Sequence, residues 1–266
     1  MKLRIWRLFA IAALVFCCFA GAQALAQNAY ITNLDANTVS VIDTTSNTVA
    51  DTIPVGSRPG GVAVTPDGST VYVANQGDDT VSVIATASNM VLAVIPVGNF
   101  SAPFGVAVTP DGSTVYVTNE GGPMVPGTVS VIATASNTVT ATIPVGPIPF
   151  GVAASPDGST VYVANQGANT VSVIATASNT VTATIPVGDR PYGVAVRPDG
   201  SRVYVTNFFD NTVSVIATTT NTVTATIPGF SEPIAFGVFI GPPPVLATPP
   251  SGTACNGCST APSRAR

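Results

Sequence analysis

The chain has 266 residues, of which 46% are hydrophobic and only 8% are charged, and it contains no histidine. With so few charges, much of the chain must be buried, and its mixture of Val, Ala, Ile, Thr and Ser favours strands over helices. The absence of histidine excludes nucleophilic triads and histidine general bases.

The first residues have the pattern of a secretory signal peptide. The basic segment MKLRIWR precedes an apolar run that starts at Leu8, and the small-residue site ALA ends at Ala26. We predict that residues 1–26 are cleaved off and that the protein is exported to the periplasm, the cell surface or the medium. A membrane anchor is the alternative, but the run is shorter than the ~18 residues of a spanning helix. Phe16 before Cys17 disfavours a lipoprotein signal.

The charge that remains after cleavage limits the partners. Residues 27–266 contain six Arg, no Lys and thirteen carboxylates, which gives a net charge of about −7. Nucleic acid is excluded as a partner because its binding depends on Lys and Arg that neutralise phosphates. A lysine nucleophile is excluded for the same residues.

An internal repeat dominates the rest of the sequence. GVAVTPDGSTVYV occurs unchanged from Gly61 and from Gly105, and the close copies GVAASPDGSTVYV and GVAVRPDGSRVYV start at Gly151 and Gly193. A period of this size is typical of propeller blades. One tyrosine marks each unit, with spacings of 42, 44, 46 and 42 residues: Tyr30, Tyr72, Tyr116, Tyr162 and Tyr204.

Each unit contains four strand-like segments, such as GVAV, VYVTN, TVSVI and TVTATIPVG, with PDGS and TASN among the turns between them. Pro fixes its own φ, Asp bonds to nearby backbone and Gly accepts a positive φ, so these turns make neighbouring strands antiparallel. Apolar residues on both sides of the pleat indicate sheets covered on both faces. We therefore predict an all-β propeller of four-stranded antiparallel blades over residues 27–241.

The two ends of the repeat region complement each other. The first unit starts at Tyr30 without a GVAV-like strand before it, whereas PIAFGVFIGP, from Pro233 to Pro242, has no unit after it. If this last strand pairs with the first unit, five blades close into a ring without an exposed sheet edge, and we predict this architecture. An open arc, or a larger ring of two chains, is the alternative because five is near the lower end of propeller sizes.

The segments YITN, YVAN and YVTN, together with RPYGVAVRPDG from Arg190 to Gly200, resemble the YVTN-type β-propeller repeats of bacterial and archaeal surface-layer and exported proteins. The resemblance covers Ala29 to about Gly241. It implies a propeller fold, although members of that family commonly carry about seven blades.

Residues 242–266 are rich in Pro, Ser, Thr and Gly, and we predict that they form a flexible tail without a membrane-spanning segment. Cys255 and Cys258 of the CNGC motif are the cysteines that remain after cleavage. They lack the further ligands of a zinc site and the strand and helix of a thioredoxin-like motif. A local disulfide is the interpretation that we favour in an exported protein, with a disulfide-linked dimer as the alternative.

The repeated PDGS aspartates are better explained as turn residues than as an active site. Each lacks a second carboxylate or a base nearby in the sequence: Asp67, Asp111, Asp157 and Asp199. Calcium binding at these positions would lack the dense ligand spacing of a calcium loop. A paired-carboxylate hydrolase survives only formally, since no spacing singles out a pair. No metal, cofactor or catalytic residue is therefore predicted.

Strand geometry gives the blades two different ends. PDGS and TASN lie at one end, the constant face, while the second-to-third-strand turns and the blade links lie at the other, the variable face. Positions that the fold leaves free to vary can carry a binding site. The candidates on the variable face are Arg58, Asp78, Asp79, Glu120, Asp189, Arg190, Phe208, Phe209, Asp210 and Glu232.

Aromatic residues stand directly before most of the GVAV-like strands, near the expected mouth of the channel. Gly60 takes this position in one unit, and the others carry Phe104, Phe150, Tyr192 and Phe236. Such side chains can stack on a sugar or an aromatic ligand. Packing between adjacent blades is the alternative, and the burial of both blade faces favours it.

These features favour an exported, non-enzymatic propeller that binds a protein, a glycan or a cell-wall component through its variable face. A hydrolase or lyase of the lactonase type, with an acidic site at the channel mouth, is the alternative. Assistance to a periplasmic redox enzyme is a third hypothesis that rests on the fold alone. A dry channel filled with valine would contradict the enzyme hypothesis.

Overall fold

A computed structural model of the protein describes residues 28–122 and 126–235. Within these residues the chain forms nineteen β-strands and no helix, which confirms the predicted all-β class. No helix that could cross a membrane is found in the described part of the chain.

The strands form five sheets in chain order, one for each repeat. Blade 1 contains β1 (Asn28–Asn33), β2 (Thr38–Asp43) and β3 (Thr48–Pro54). Blade 2 contains β4 (Pro59–Val64), β5 (Thr70–Asn75), β6 (Thr80–Ala85) and β7 (Met90–Pro96). Blade 3 contains β8 (Pro103–Val108), β9 (Thr114–Asn119), β10 (Thr128–Ala133) and β11 (Thr138–Pro144). Blade 4 contains β12 (Pro149–Ala154), β13 (Thr160–Asn165), β14 (Thr170–Ala175) and β15 (Thr180–Pro186). Blade 5 contains β16 (Pro191–Val196), β17 (Arg202–Asn207), β18 (Thr212–Ala217) and β19 (Thr222–Pro228).

Neighbouring strands pair antiparallel in every blade, so the predicted five-bladed propeller is confirmed. The inner strands β4, β8, β12 and β16 contact one another in order around the axis. After blade 5 the chain continues at this radius, because the carbonyl oxygen of Ala235 lies against Gly193 of β16. The predicted closing strand spans Pro233 to Pro242. Residues 233–235 are not in a strand and the rest of the segment lies outside the described residues, so the closure of the ring stays a prediction.

The core lies between the blades. Between blades 2 and 3, a tyrosine, valines and an isoleucine of one blade pack against valines and an isoleucine of the next. The same arrangement recurs at the other interfaces within the chain. We call the side that carries the tyrosine the leading face of a blade and the opposite side its trailing face. Sheets packed on both faces need apolar residues at successive positions, which explains the low charge of the chain.

The asparagine that ends each second strand ties that strand to the third. In blade 4, Asn165 Nδ2 donates to Thr170 Oγ1 at 3.0 Å and to Ser172 Oγ at 2.9 Å. The same pair of bonds occurs in the other four blades. This network is a physical reason for Asn in VYVTN and for Thr and Ser in TVSVI.

The PDGS turns are closed by their aspartates, as the sequence predicts. Asp111 accepts hydrogen bonds from Thr109 Oγ1 at 2.6 Å and from the backbone and hydroxyl of Ser113 at 3.0 and 2.9 Å. These bonds, led by that of Thr109, lower the pKa of Asp111. Gly112 follows at a positive φ of 72°. The aspartate is therefore a structural part of the turn.

We expect Asp111→Ala to lower the melting temperature by about 1–3 °C at pH 7 and by less at pH 3. A carboxylate whose pKa is lower in the folded chain adds stability that is complete above its unfolded pKa and is lost as the pH falls through its folded pKa. Thermal unfolding followed by circular dichroism at both pH values measures the difference. Ser113→Ala keeps the carboxylate and should have a smaller effect. An equal loss at both pH values would contradict this role.

Candidate functional site

The backbone of the blade links is fixed by the turns of the variable face. Arg58, Arg190 and Glu232 each precede a proline and have left-handed φ angles of 52°, 50° and 45°. Arg58 N donates to Asn37 Oδ1 at 2.9 Å, and Arg190 N donates to Asn169 Oδ1 at 3.0 Å. Glu232 N makes the same kind of bond at 2.6 Å. These three predicted site residues therefore present exposed side chains from rigid links.

Three of the candidate aspartates hold the same links through their carboxylates. Asp78 Oδ2 accepts a hydrogen bond from Ser57 N at 2.6 Å, and Asp210 Oδ2 accepts one from Asp189 N at 2.7 Å. The carboxylate of Asp79 accepts two link N–H groups at 2.7 and 2.8 Å. Each has a structural partner about 21 residues away in the chain. These bonds give the three aspartates a structural role, whereas the differences between the repeats had suggested a role in binding.

Five aromatic side chains form a continuous row at the mouth of the channel, which we call the aromatic row: Phe104, Phe150, Tyr192, Phe208 and Phe209. Successive ring centroids along it lie 4.9, 4.5, 6.1 and 5.4 Å apart. Arg190 Cζ lies 4.0 Å from the centroid of Phe209, in position for a cation–π contact. Phe150 is only 9% exposed, whereas Phe209 is 49% exposed and the other three are half-buried. The rings thus pack across blades and also keep a side open to solvent.

Glu120 lies beside the aromatic row, in the turn after β9. Its Oε1 accepts a hydrogen bond from Gln76 Nε2 at 2.9 Å. Burial raises the pKa of Glu120, although the bond from Gln76 and the charge of Arg58 act in the opposite direction. Burial raises the pKa of Tyr192, and the charge of Glu120 adds to this effect. Glu120 is therefore hydrogen-bonded to Gln76 and lies close enough to Arg58 and Tyr192 for the charges to affect pKa values.

Gln76 was not among the predicted site residues. It occupies in blade 2 the position that Glu120 holds in blade 3, directly after the buried strand-end asparagine. A comparison of turns at this position would therefore have found it.

The channel below the aromatic row is narrow and apolar. Its constriction has a volume of about 40 Å³ and is lined by Gly, Val and Ala: Gly61, Val62, Gly105, Val106, Gly151, Val152, Val194 and Ala235. A wider cavity of about 350 Å³ towards the constant face is lined by Val, Ala and Pro residues alone. The described part of the channel is thus lined by small apolar residues, with open space towards the constant face.

Two larger grooves lie on the constant face, between adjacent blades. They measure about 510 and 550 Å³ and have equivalent linings because they repeat from blade to blade. Tyr72 Oη donates to Asn137 Oδ1 at 2.8 Å in the first, and Tyr116 Oη donates to Asn179 Oδ1 at 3.1 Å in the second. These grooves were not predicted, and the recurring tyrosine and TASN asparagine are the pattern that could have indicated them.

The structure brings part of the predicted site together. Arg190 contacts the aromatic row through Phe209, and Glu120 lies near Tyr192 and Arg58. The carboxylates of Asp78, Asp79 and Asp210 hold the links, whereas Asp189 and Glu232 take part in them through their backbone N–H groups. Phe236, Cys255 and Cys258 lie outside the described residues. Among the residues that are described, no group of three or more His, Cys, Asp or Glu side chains is placed to hold a metal ion.

Comparisons with known proteins bear on the fold and the family. The family model "Lactonase, 7-bladed beta-propeller" matches residues 26–126 and again residues 127–227. Among solved structures, Kuenenia stuttgartiensis hydrazine synthase is similar over 76% of this chain and 83% of that chain, with 19% identity and a TM-score of 0.49. The search of curated proteins found no match.

Proposed function

The chain belongs to the lactonase, 7-bladed β-propeller family. Because the channel of this member is lined by small apolar residues, we propose that the protein binds a ligand and is not a hydrolase. The aromatic row beside Glu120 carries the proposal. Its rings form a rigid apolar surface, because each ring is packed against the next. Rigid, partly exposed aromatic side chains are the usual anchors of binding sites.

We propose a neutral glycan as the ligand. The flat faces of the aromatic row suit the apolar C–H faces of sugar rings. The carboxylate of Glu120, the amide of Gln76 and the guanidinium of Arg58 supply an acceptor and donors for hydroxyl groups at one end of the row. The channel constriction of about 40 Å³ keeps a ligand at the mouth, so an extended chain lying across the variable face fits better than a buried small molecule.

We also propose that the protein is exported and carries YVTN-type repeats. Two features of the sequence support this proposal, namely the signal-like residues 1–26 and the recurrent segments YVAN and YVTN. A glycan of the cell envelope would then be within reach.

We expect Tyr192→Ala to weaken glycan binding by at least about 10-fold, because it removes the central ring of the aromatic row. The assay uses chain recovered from the exported fraction and neutral polysaccharides of bacterial envelopes immobilised on an array. Titration calorimetry with the best polysaccharide then gives the dissociation constant of each variant.

Phe230→Ala is the matched control, since Phe230 is 46% exposed in a link of the variable face but lies outside the aromatic row. It should bind like the wild type. Equal losses for both variants, or no binding of any glycan, would contradict the proposal. Lactone hydrolysis by the wild type that Glu120→Gln abolishes would instead support the hydrolase hypothesis, for which the raised pKa of Glu120 at the channel mouth is the observation in favour.

A further inference from the structure

The two grooves on the constant face have no part in glycan binding. The first groove lies between the leading face of blade 2 and the turns of blade 3, and the second lies between the leading face of blade 3 and the turns of blade 4. Their volumes are about 510 and 550 Å³. In each, a buried tyrosine donates a hydrogen bond to the asparagine of the neighbouring TASN turn, at 2.8 and 3.1 Å. The fold therefore builds the same groove twice.

Blade 3 holds the two grooves side by side. Asp111 lines both of them. Adjacent PDGS turns are in contact, since a Cβ at Gly112 would lie 3.5 Å from Pro66 Cδ, and a Cβ at Gly158 would lie 3.5 Å from Pro110 Cδ. The grooves therefore have a fixed separation, and a ligand whose binding groups repeat along its length can occupy both.

Negative charge without a counter-charge surrounds the grooves. The sequence from Pro59 to Asp189 contains no Lys, Arg or His, so blades 2, 3 and 4 have no basic residue. Asp67 and Asp111 line the first groove, and Asp111 and Asp157 line the second. A cleft lined by charges of one sign focuses the electric field and concentrates ions of the opposite sign. The charge of both grooves therefore favours a cationic ligand.

Hydrogen bonds within the turns fix the positions of these carboxylates. Thr65 Oγ1 donates to Asp67 Oδ1 at 2.6 Å, and Ser155 Oγ donates to Asp157 Oδ1 at 2.5 Å. Together with bonds from the serine after each PDGS glycine, they lower the pKa of both carboxyl groups and keep them ionised. Both side chains are nevertheless exposed, so they can also accept hydrogen bonds from a ligand.

The first groove also has an apolar wall. Val83 lines it, and Leu92 of the outer strand β7 lines it with 63% of its side chain exposed. A threonine stands at the place of Leu92 in the next three blades, at positions 140, 182 and 224. The aliphatic stems of lysine and arginine pack along apolar surface while their charged ends stay at a polar one. A cation on an aliphatic stem thus matches both the carboxylates and the apolar wall.

We propose that the two grooves bind lysine or arginine side chains from an extended segment of a partner protein. One basic side chain lies in each groove, with its stem along Val83 or Val131 and its charged end at the aspartates. Asp111 takes part in both contacts and is therefore the carboxylate on which binding depends most. The proposal does not rest on glycan binding, because the aromatic row lies on the opposite face.

The test is the binding of a fluorescent peptide of alternating lysine and glycine to the full chain, measured by fluorescence polarisation at low salt. We expect Asp111→Asn to raise the dissociation constant about 10-fold, because it removes one charge from each groove. Asparagine keeps an oxygen that can accept the bonds of the turn. Asp67→Asn and Asp157→Asn each affect one groove and should raise the dissociation constant about 3-fold.

Asp35→Asn is the matched control for charge. Asp35 is an exposed carboxylate in the turn between β1 and β2, on the variable face, so its loss changes the net charge equally but leaves the grooves intact. This variant should bind the peptide like the wild type. No binding by the wild type, or an equal loss with Asp35→Asn and Asp111→Asn, would overturn the proposal.

A change of shape at constant charge tests the grooves themselves. Ala135→Leu together with Ala177→Leu places a bulky side chain in each groove and should raise the dissociation constant about 5-fold. Circular dichroism shows whether this variant is folded, and threonine replaces leucine if it is not, since blade 5 carries Thr219 at this place. Unchanged binding by the folded variant would contradict the proposal. Spermidine that binds as tightly as the peptide would also overturn it, because the ligand would then be a free polyamine.

Discussion

Gly151→Ala is expected to destabilise the propeller by at least about 3 kcal/mol, a fall in melting temperature of about 6–12 °C. A Cβ at this position would lie 2.5 Å from the carbonyl oxygen of Tyr192 and 3.0 Å from the amide nitrogen of Val194. Both atoms belong to the backbone of the next inner strand and cannot rotate away. Urea unfolding of the variant and the wild type measures the difference in the free energy of unfolding.

Gly122→Ala is the matched control for this substitution. A Cβ at Gly122 meets no atom within 4 Å, so the same added methyl group should change the free energy of unfolding by less than about 0.5 kcal/mol. A similar loss of stability in the two variants would show that general glycine effects, and not the close approach of inner strands, are responsible.

Asn165→Ala is also expected to have a large effect and to lower the free energy of unfolding by about 2–4 kcal/mol. Asn165 is fully buried, and its loss leaves a small cavity and deprives the hydroxyls of Thr170 and Ser172 of their amide donor. Urea unfolding again gives the value. The double variant Asn165→Ala, Ser172→Ala should cost less than the sum of the two single changes, because the two residues share one bond.

Asn33→Ala tests whether the burial of the asparagine decides how much its hydrogen bonds contribute to stability. Asn33 makes the same two bonds in blade 1, at 3.0 and 2.9 Å, but is only half-buried. Water can replace part of what is lost there, so its substitution should cost about half as much or less. Equal costs at Asn33 and Asn165 would refute the view that burial makes these bonds important.

Much of the fold was predictable because its determinants are local and repeated. The Pro-Asp-Gly turns set the antiparallel pairing, and the spacing of the tyrosines set the number of units. The exposure of Ile31 and Ile227, at 50% and 41%, was not predictable, since both have the same apolar character as their buried equivalents Val73 and Ile185. Only the position of the neighbouring blades distinguishes them.

The candidate site was predictable only in part. The aromatic row could be found because its inner members share one position relative to the GVAV-like strands. The carboxylates of Asp78 and Asp210 were assigned to binding because nothing in the local sequence shows that a backbone N–H group 21 residues earlier will meet them. These turn positions differ between the repeats, and the sequence therefore suggested that they were free to carry a binding site. In the structure each aspartate is needed to hold the blade link that it contacts.

The contact of inner strands through glycine has a consequence for how such a protein can change. Because backbone meets backbone at Gly105 and Gly151, the dimensions of the main chain set the spacing of adjacent inner strands. Substituting side chains therefore cannot widen the central channel. A relative that needs room for a bulkier ligand must therefore lengthen the loops around the mouth or duplicate a whole repeat. The NEGGPMVPGT turn, the longest of its kind in the chain, is an example of the first route.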